Sequence, residues 1–132
     1  MILVDTNVLI DVATRDPDWA FWSLSQLEKA ARQGSLRIND VVYAELSVRY
    51  EQMAELDDFL AQAEIETVSI PKEALFLAGK VFARYRQAGG TRTGVIPDFF
   101  IGAHAQTAGV SLLTRDKGRY GTYFPSVALI TP

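Results

Sequence analysis

The sequence predicts an α/β fold: a three-layer α/β/α sandwich in which helices cover both faces of a mostly parallel sheet of four to five strands. Two observations lead to this prediction. Short apolar runs of strand length alternate with segments of helical periodicity, an order typical of parallel sheets. The 132 residues are 48% hydrophobic and 22% charged, a composition that suits a folded chain with a substantial core. No repeat or linker divides them, so we predict a single domain over residues 1–132.

The first half of the chain alternates strands and helices. Ile2–Val4 is an apolar run that stops at Asp5, as expected for a buried parallel strand. Asp16-Pro17-Asp18 then supplies the cap of a helix, with the proline in its first turn, and an apolar helical period continues to Gly34. The following patterns predict, in order, a strand over 36–38, a helix over 41–50 capped by Asn39 and Asp40, a helix over 51–64 and a strand over 65–70.

The second half repeats this alternation. Pro71 begins a helix with apolar residues at helical spacing, and Gly89–Gly90 ends it. A flexible basic loop over 92–95 follows. Pro97 opens the next helix, Gly109 ends it, and two buried strands are predicted over 110–113 and 127–130.

Composition excludes several classes of function. The chain has no cysteine, which rules out a disulfide framework, thiol catalysis and a cysteine-ligated zinc site. Its one histidine, His104, cannot supply both the acid and the base of a histidine-pair ribonuclease. No apolar run approaches the ~20 residues that span a bilayer, and the N-terminus has no signal pattern. We therefore expect a cytoplasmic protein that does not enter a membrane.

The two halves of the chain carry opposite charge. Residues 1–66 hold 13 acids and 5 bases, a net −8, whereas residues 67–132 hold 3 acids and 8 bases, a net +5. This asymmetry is consistent with a polyanion bound by the basic half and cations held by the acidic half. It is equally consistent with two parts of the fold that attract each other.

Four acids stand where a parallel sheet would gather them. Asp5 follows the first strand and Asp116 follows the strand that ends at Leu113, so both belong to the carboxyl edge of the sheet, where functional crevices open. Glu45 has valines among its helical neighbours, and Asp98 is the one acid in an apolar window at a helix start. Ordinary alternatives remain open: helix capping for Asp5, a solvated helix face for Glu45, dipole stabilisation for Asp98 and a turn for Asp116.

A cluster of four carboxylates would repel itself without a cation. Oxygen ligands of this kind suit Mg²⁺ or Mn²⁺, which keep several waters and bridge to phosphate oxygens. Such an ion activates water and stabilises the transition state of phosphoryl transfer. The acids therefore indicate metal-dependent chemistry on a phosphate ester.

The motifs resemble those of the PIN domain over nearly the whole chain. The resemblance rests on the opening run Ile2–Ile10, which contains Asp5-Thr6-Asn7, on an inner Glu45, on Pro97-Asp98 and on Leu113–Asp116. The order of acids and the length are similar to the VapC-like toxins of toxin–antitoxin pairs.

This resemblance implies a PIN-like fold and a Mg²⁺-dependent ribonuclease, with Mn²⁺ as a possible substitute, that leaves 5′-phosphate and 3′-hydroxyl ends. It implies that Asp5 and Asp98 ligate the metal, that Glu45 and Asp116 complete the pocket directly or through water, and that Asn7 and Thr114 orient ligands or water. It also implies an RNA substrate, a small antitoxin that blocks the site, and a homodimer.

Several basic and aromatic residues have both a functional and a structural interpretation. Candidates for contacting RNA phosphates are Arg84, Arg86, Arg92, Arg115, Lys117 and Arg119, although bases near helix ends also complement the helix dipole. Tyr120, Tyr123 and Phe124 can stack on bases, but packing is the better expectation. Trp19, Phe21 and Trp22 either line a partner groove or enter the core. His104 lies off the helical face of Asp98, so we assign it a structural role.

Two other classes of function compete with the ribonuclease. Aspartyl-phosphate proteins also place an Asp after their first strand, but the phosphatases need a second Asp where this chain has Asn7. Trapping an acyl phosphate would support that class. A catalytically silent PIN-like module that binds RNA or a partner is the third possibility, and RNA affinity without turnover in any divalent metal would support it.

Overall fold

The computed structural model describes all residues, 1–132, and shows a five-stranded sheet flanked by seven helices. The strands are β1 (Ile2–Val4), β2 (Leu36–Asn39), β3 (Glu66–Val68), β4 (Ser111–Leu113) and β5 (Leu129–Ile130). The helices are α1 (Thr6–Thr14), α2 (Ala20–Gln33), α3 (Asp40–Ser47), α4 (Met53–Gln62), α5 (Lys72–Gln87), α6 (Pro97–Ala108) and α7 (Lys117–Tyr123). None of the helices combines the length and the apolar composition needed to cross a membrane.

The sheet confirms the predicted α/β class. Its order is β3-β2-β1-β4-β5, and all four strand pairings are parallel. The central strand β1 pairs Ile2 with Leu36 of β2 and Val4 with Leu113 of β4, and all of its residues are buried. Burial on both faces explains why β1 is a continuous apolar run.

Several predicted helix ends are confirmed at single residues. Asn39 caps α3, because its Oδ1 accepts hydrogen bonds of 3.1 Å from the backbone N–H of Val41 and of Val42. Gly109 ends α6 in the left-handed conformation, with φ of 66°, where a residue without a Cβ is favoured. Helix α5 likewise ends just before Gly89, whose φ is 96°.

The sequence analysis missed two helices. It assigned no helix to 6–14, although it kept helix capping as an alternative for Asp5. This segment is α1, whose inward face carries Val8 and Leu9. It also left 117–123 unassigned, because this short segment contains Gly118 and Gly121, which weaken a helical pattern. The segment forms α7 because Asp116 caps its first N–H groups and Tyr120 is fully buried.

Other predicted boundaries were wrong by a few residues. Asp16 does not cap α2: its Oδ1 accepts from the N–H groups of Asp18 and Trp19 and so caps a separate turn before the helix. The helices predicted over 41–50 and 51–64 are shorter, as are the strands predicted over 65–70 and 127–130. Apolar periodicity extends beyond the hydrogen-bonded elements because the flanking turns also pack on the core.

Helices α6 and α7 pack closely enough to exclude a side chain. A Cβ on Gly102 of α6 would lie 2.3 Å from the ring of Phe124, which directly follows α7. Phe124 itself is buried. Since α6 carries Asp98 and α7 carries Arg119, this contact fixes the distance between two predicted site residues.

Candidate active site

The strand order reverses between β1 and β4. In open parallel sheets the ligand crevice opens at such a point, beyond the carboxyl ends of the strands. Asp5 directly follows β1, and its N–H donates to the carbonyl of Leu113 at the end of β4 over 2.8 Å. Thr114 and Asp116 follow β4. Residues of the first and the last motif therefore lie at the same carboxyl edge of the sheet.

Asp5 is the most enclosed acid at this edge, with 5% of its surface exposed. Its Oδ2 accepts hydrogen bonds from the hydroxyls of Thr114 at 2.7 Å and Tyr120 at 3.1 Å, and from Asn7 Nδ2 at 3.3 Å. Its Oδ1 accepts only from the N–H of Thr6, at 2.7 Å. Since each carboxylate oxygen can accept about two bonds, Oδ1 is the oxygen with capacity left for a ligand.

The surroundings of Asp5 disfavour its charge. Burial, and then the neighbouring carboxylate of Asp98, raise the pKa of Asp5 from 3.8 to about 6 against the opposing effect of its hydrogen bonds. The pKa of Tyr120 is raised well above its usual value, first by burial and then by the charges of Asp5, Asp98 and Glu45. Three of the four predicted acids therefore act on one buried hydroxyl.

Glu45 lies on α3 and is linked to the Asp5 segment through Thr6. The Thr6 hydroxyl donates to Glu45 Oε1 over 2.6 Å, while the Thr6 N–H holds Asp5. Helix α3 is anchored at its start by Asn39, whose Nδ2 lies 3.2 Å from Nδ1 of His104. His104 is 2% exposed, and burial lowers its pKa. These contacts agree with the structural role predicted for this histidine.

Asp98 lies at the start of α6 and pairs with a cation of the same chain. Arg119 Nη1 donates to Asp98 Oδ2 over 3.1 Å, and both side chains remain partly exposed. The cap residue of α6 is Ile96, and no side chain bonds to the free N–H groups there. Asp98 is therefore held by an ion pair, and it also lies in the first turn of α6, where the helix dipole considered from sequence favours an anion.

Asp116 is turned toward the helix that follows it. Its Oδ1 accepts from the N–H groups of Gly118 at 3.1 Å and Arg119 at 3.4 Å, as the N-cap of α7. Its own N–H donates to the Thr114 hydroxyl, which in turn donates to Asp5. The ordinary interpretation of Asp116 as a turn or cap residue thus describes this structure, and Thr114 connects it to Asp5.

The donor set suits a hard divalent cation, but the arrangement is not a cage of four carboxylates. No three acidic side chains lie close enough together to hold one ion between them. Mg²⁺ commonly binds through one or two carboxylates and keeps its remaining waters. The residues present fit that mode, with Asp5 Oδ1 and Asp98 as the carboxylate donors, because a cation there would offset the repulsion that raises the pKa of Asp5.

The predicted RNA-binding bases differ in their availability. Arg115 is engaged within the chain: its Nε and Nη2 donate to the two carboxylate oxygens of Asp11 over 2.7 and 3.0 Å. Arg119 points into the acidic site. Arg86 donates to the carbonyl of Arg92 over 2.9 Å on the surface. Arg84 and Lys117 are exposed, so both can reach a polyanion.

Asp11 is a buried acid that the sequence analysis missed. It is 1% exposed and accepts a hydrogen bond of 2.7 Å from Ser23 in addition to both bonds from Arg115. The Arg115 guanidinium also lies 4.7 Å from the ring centre of Trp19, and its backbone N–H donates to Asn7 Oδ1. This network ties α1 and α2 to the segment that carries Thr114.

Removing the Arg115 guanidinium should destabilise the protein substantially. We expect Arg115→Met to lower the free energy of unfolding by about 3 kcal/mol, because it leaves the Asp11 carboxylate buried with one neutral partner. Denaturant unfolding of this variant beside Arg84→Met, an exposed arginine on α5, measures the effect. The control should change stability by no more than about 0.5 kcal/mol. Equal losses in the two variants would show that the Asp11–Arg115 pair does not hold the segment.

The family comparison accounts for almost the whole chain. The family model described as "PIN domain" matches residues 2–124. A comparison with curated proteins gives no match.

Solved structures with the same fold come from bacterial toxin–antitoxin complexes. A chain of VapBC2 from Rickettsia felis bound to a DNA fragment from its promoter superposes with a TM-score of 0.75 at 20% identity, over 100% of this chain and 99% of that one. VapBC-1 from nontypeable Haemophilus influenzae gives 0.71 at 16% identity, over 99% and 98%. A toxin–antitoxin complex from Klebsiella pneumoniae gives 0.67 at 19% identity, over 100% and 98%. With the fold and the family match in agreement, the chain belongs to the PIN domain family.

Proposed function

We propose that this PIN domain is a metal-dependent endoribonuclease that acts as the toxin of a toxin–antitoxin pair. It hydrolyses RNA phosphodiester bonds with Mg²⁺, or Mn²⁺ in its place, and leaves 5′-phosphate and 3′-hydroxyl ends. The whole of 1–132 works as one domain. An RNA substrate is in keeping with a protein that works in the cytoplasm.

One observation supports this proposal: at the switch point of the sheet, the charges of Asp5, Asp98 and Glu45 all raise the pKa of the buried Tyr120 hydroxyl, which donates to Asp5 over 3.1 Å. A structural core gains nothing from several carboxylates near one buried hydroxyl, because mutual repulsion and burial both destabilise the fold. A cation and a phosphate ester give the cluster a use. Perturbed acids in a crevice are the usual sign of a catalytic site.

The side chains have separable tasks in this proposal. Asp5 and Asp98 would hold the ion. Thr114, Tyr120 and Asn7 occupy Asp5 Oδ2, which leaves Oδ1 as the oxygen with capacity for a ligand. When bound, the ion makes the attacking water more acidic and neutralises charge on the phosphate. Glu45 and Asp116 position water at the edge of the pocket. With the ion bound, Arg119 would be free to leave Asp98 and bind a phosphate oxygen.

The positive charges around the acids support a polyanionic substrate. Arg84, Arg86 and Arg92 lie on or after the end of α5, and Lys117 and Arg119 lie on α7, so both segments present cations. Cations of this number contribute sequence-independent affinity for a phosphate backbone. The acidic half of the chain opposes binding elsewhere, and RNA is thereby directed to the site.

A partner that covers exposed apolar surface also belongs to the proposal. The antitoxin occupies an open apolar groove of about 260 Å³ lined by residues of α2, α4 and neighbouring segments, including Leu24, Leu27 and Phe59. Phe21 on the same helix α2 is 86% exposed, whereas Trp19 and Trp22 are half-buried. A homodimer accounts for other exposed apolar side chains, among them Val48, Met53 and Phe76. The neighbours of known structure, solved as toxin–antitoxin complexes, support the antitoxin.

Cleavage of a mixed RNA pool tests the nuclease directly. Purified protein should give discrete fragments with 5′-phosphate ends in Mg²⁺ or Mn²⁺, and none with chelator or in Asp98→Asn. The variant must keep the wild-type circular dichroism spectrum and melting behaviour. Cleavage that persists in a folded Asp98→Asn protein would contradict the assignment of Asp98.

A second candidate is a binding module without catalysis. Two observations favour it: no three acids are placed to share an ion, and Arg119 already neutralises Asp98. This candidate predicts RNA affinity that no divalent metal converts into cleavage. Absence of turnover in Mg²⁺ and in Mn²⁺, for protein separated from any copurifying partner, would establish it over the nuclease.

A further inference from the structure

A buried ion pair beside the acidic site has no task in the chemistry proposed above. Asp11 of α1 is 1% exposed, and both of its carboxylate oxygens accept from the guanidinium of Arg115. The hydroxyl of Ser23, a fully buried residue of α2, donates to the same carboxylate. The ring of Trp19 lies over the guanidinium and adds a favourable cation–π contact. The charges of the pair are thus bonded within the protein.

Stability alone does not explain why the chain carries this pair. Taking two charges out of water costs about as much as their attraction returns, and replacing a buried ion pair by apolar side chains is often neutral or stabilising. Removing one partner destabilises the fold because the other charge stays buried. A two-pronged pair of arginine and carboxylate has a further property, which is that it specifies how two segments meet. The function of the Asp11–Arg115 pair is therefore expected in the segments that it joins.

Arg115 joins its segment to α1 at two points. Its guanidinium binds Asp11, and its backbone N–H donates to Asn7 Oδ1 over 3.2 Å. Asn7 and Asp11 are four residues apart on α1 and so lie on the same helix face. Two contacts along one face fix both the position and the direction of the chain at Arg115.

The residue before Arg115 bonds to a proposed metal ligand. The Thr114 hydroxyl donates to Asp5 Oδ2 over 2.7 Å, and Asn7 Nδ2 donates to the same oxygen over 3.3 Å. The hydroxyl also accepts from the N–H of Asp116 over 3.0 Å, which helps to direct its single proton to Asp5. Both bonds to Oδ2 thus come from residues that Arg115 adjoins or contacts, and they leave Oδ1 with capacity for a ligand.

We propose that Asp11 and Arg115 are a positioning pair for the metal site. The pair docks the Thr114 segment on α1, and the docked Thr114 hydroxyl holds Asp5 with Oδ1 available to the ion. In this role neither member of the pair contacts the ion or the substrate, because both act through Thr114 and Asn7. This inference rests on the proposed ribonuclease and adds two residues to the support of its metal site.

An apolar replacement of the network separates positioning from stability. The apolar variant combines Asp11→Leu, Arg115→Met and Ser23→Ala, so that no charge or hydroxyl of the network stays buried without a partner. Its urea midpoint should lie close to that of the wild type, whereas Arg115→Met alone should unfold at lower urea. Its affinity for Mn²⁺, measured from the electron paramagnetic resonance signal of the free ion, should fall by about tenfold or more. Wild-type affinity in the folded apolar variant would overturn the proposal.

Arg115→Lys is the second variant, and it decides the question if the apolar variant does not fold. Lysine keeps a positive charge beside Asp11 but lacks the planar fork that bonds both carboxylate oxygens. We expect it to fold and to bind Mn²⁺ more weakly than the wild type. Wild-type affinity in Arg115→Lys would show that the two-pronged contact does not position the site, and would leave Arg115 as a charge that balances Asp11 or contacts RNA.

The matched control combines Asp58→Leu with Arg32→Met. These two residues are exposed on α4 and α2, so the control removes an acid and an arginine away from the network. Its Mn²⁺ affinity should stay within about twofold of the wild type. Asp5→Asn, measured beside it, identifies the binding that belongs to the proposed site. Equal losses in the control and in the apolar variant would overturn the proposal, because loss of charge at any position would then weaken binding.

A comparison of combined variants tests whether the pair acts through Thr114. Thr114→Val removes the hydroxyl that donates to Asp5 and should weaken Mn²⁺ binding by itself. Added to the apolar variant, it should cost little more, because the hydroxyl there is already undirected and the two changes are not independent. Losses that multiply would overturn the route through Thr114.

Hydrogen exchange in the metal-free protein separates this inference from the function on which it rests. The backbone N–H groups at positions 115 and 116 bond to Asn7 and to the Thr114 hydroxyl. They should exchange faster in the apolar variant than in the wild type, although the global stability of the two is similar. Unchanged protection at both positions would overturn the docking. Faster exchange together with no Mn²⁺ binding by the wild type would support the docking and contradict the metal site of the proposed function.

Discussion

Replacement of Asp5 by Asn is expected to remove metal-dependent cleavage and, at the same time, to stabilise the metal-free protein at pH 7. Rates should fall by more than about 100-fold, because loss of even an outer partner of a metal ligand costs 10- to 100-fold in activity. The free energy of unfolding should rise by about 1–3 kcal/mol, because the pKa of Asp5 is raised to about 6 and its buried charge opposes folding at neutral pH.

The substitution preserves the local structure that Asp5 supports. Asn caps helices as well as Asp does, so the bond from the Thr6 N–H that begins α1 can remain. With the Asn oxygen at the Oδ1 position, its Nδ2 takes the Oδ2 position and donates to the Thr114 and Tyr120 hydroxyls, which then accept instead of donating. The main change is therefore the loss of charge, which accounts for opposite effects on activity and stability.

Asp58→Asn is the matched control for this experiment, because Asp58 is an exposed acid of α4 away from the site. Cleavage rates and urea unfolding curves are measured for both variants beside the wild type. The control should retain the wild-type rate and change stability by no more than about 0.5 kcal/mol. A folded Asp5→Asn protein that is less stable than wild type at pH 7 would contradict the account of Asp5 as an acid retained for function at the expense of stability.

The features that sequence predicted correctly are those decided within a few residues. The apolar run Ile2–Val4 specified a buried parallel strand. The cap at Asn39 began α3, and the left-handed Gly109 ended α6, as expected. Each depends on local chemistry: burial on both faces, a side chain that bonds nearby N–H groups, or a backbone that only glycine adopts readily. Such signals survive whatever the rest of the chain does.

The features that sequence did not predict depend on residues far apart in the chain. Asp11 and Arg115 are separated by 104 positions, and Tyr120 lies 115 positions from the Asp5 that its hydroxyl contacts. Only the pairing of β1 with β4 brings them together. Nothing in the neighbourhood of Tyr120 distinguishes a packing tyrosine from one whose hydroxyl also orients a carboxylate.

The alternatives weighed for each acid were not mutually exclusive. Asp5 is both the cap of α1 and the central acid of the candidate site, and Asp116 is the cap of α7 beside it. Where a helix starts directly after a strand, one residue can both cap the helix and belong to the candidate site, because the cap residue lies at the carboxyl edge of the sheet. Capping is therefore no argument against catalysis in this fold.

The stability of the metal-free protein should depend on pH in a way that Asp5→Asn abolishes. The folded protein holds a proton on Asp5 up to about pH 6, whereas the ordinary pKa is 3.8. Because the folded-state pKa is the higher one, the favourable contribution is complete below pH 3.8 and is lost as pH rises through 6. The difference between these two pKa values corresponds to about 3 kcal/mol of unfolding free energy, at about 1.4 kcal/mol per pKa unit. Other carboxylates titrate in this range, so the quantity to measure is wild type minus Asp5→Asn, from urea unfolding at several pH values.

Mg²⁺ should reverse this loss, because an ion at the site interacts with the ionised form of Asp5. At pH 7 the wild type should gain about 2.7 kcal/mol when Mg²⁺ reaches 100 times its dissociation constant. The gain should be much smaller at pH 4.5, where a proton competes for the carboxylate, and nearly absent in Asp5→Asn. Sodium chloride at matched ionic strength controls for screening of surface charge. An equal gain in unfolding free energy for Asp5→Asn would mean that Mg²⁺ binds elsewhere, and an equal gain with sodium chloride would mean that it reflects screening. Either result would leave the raised pKa of Asp5 without the function proposed for it.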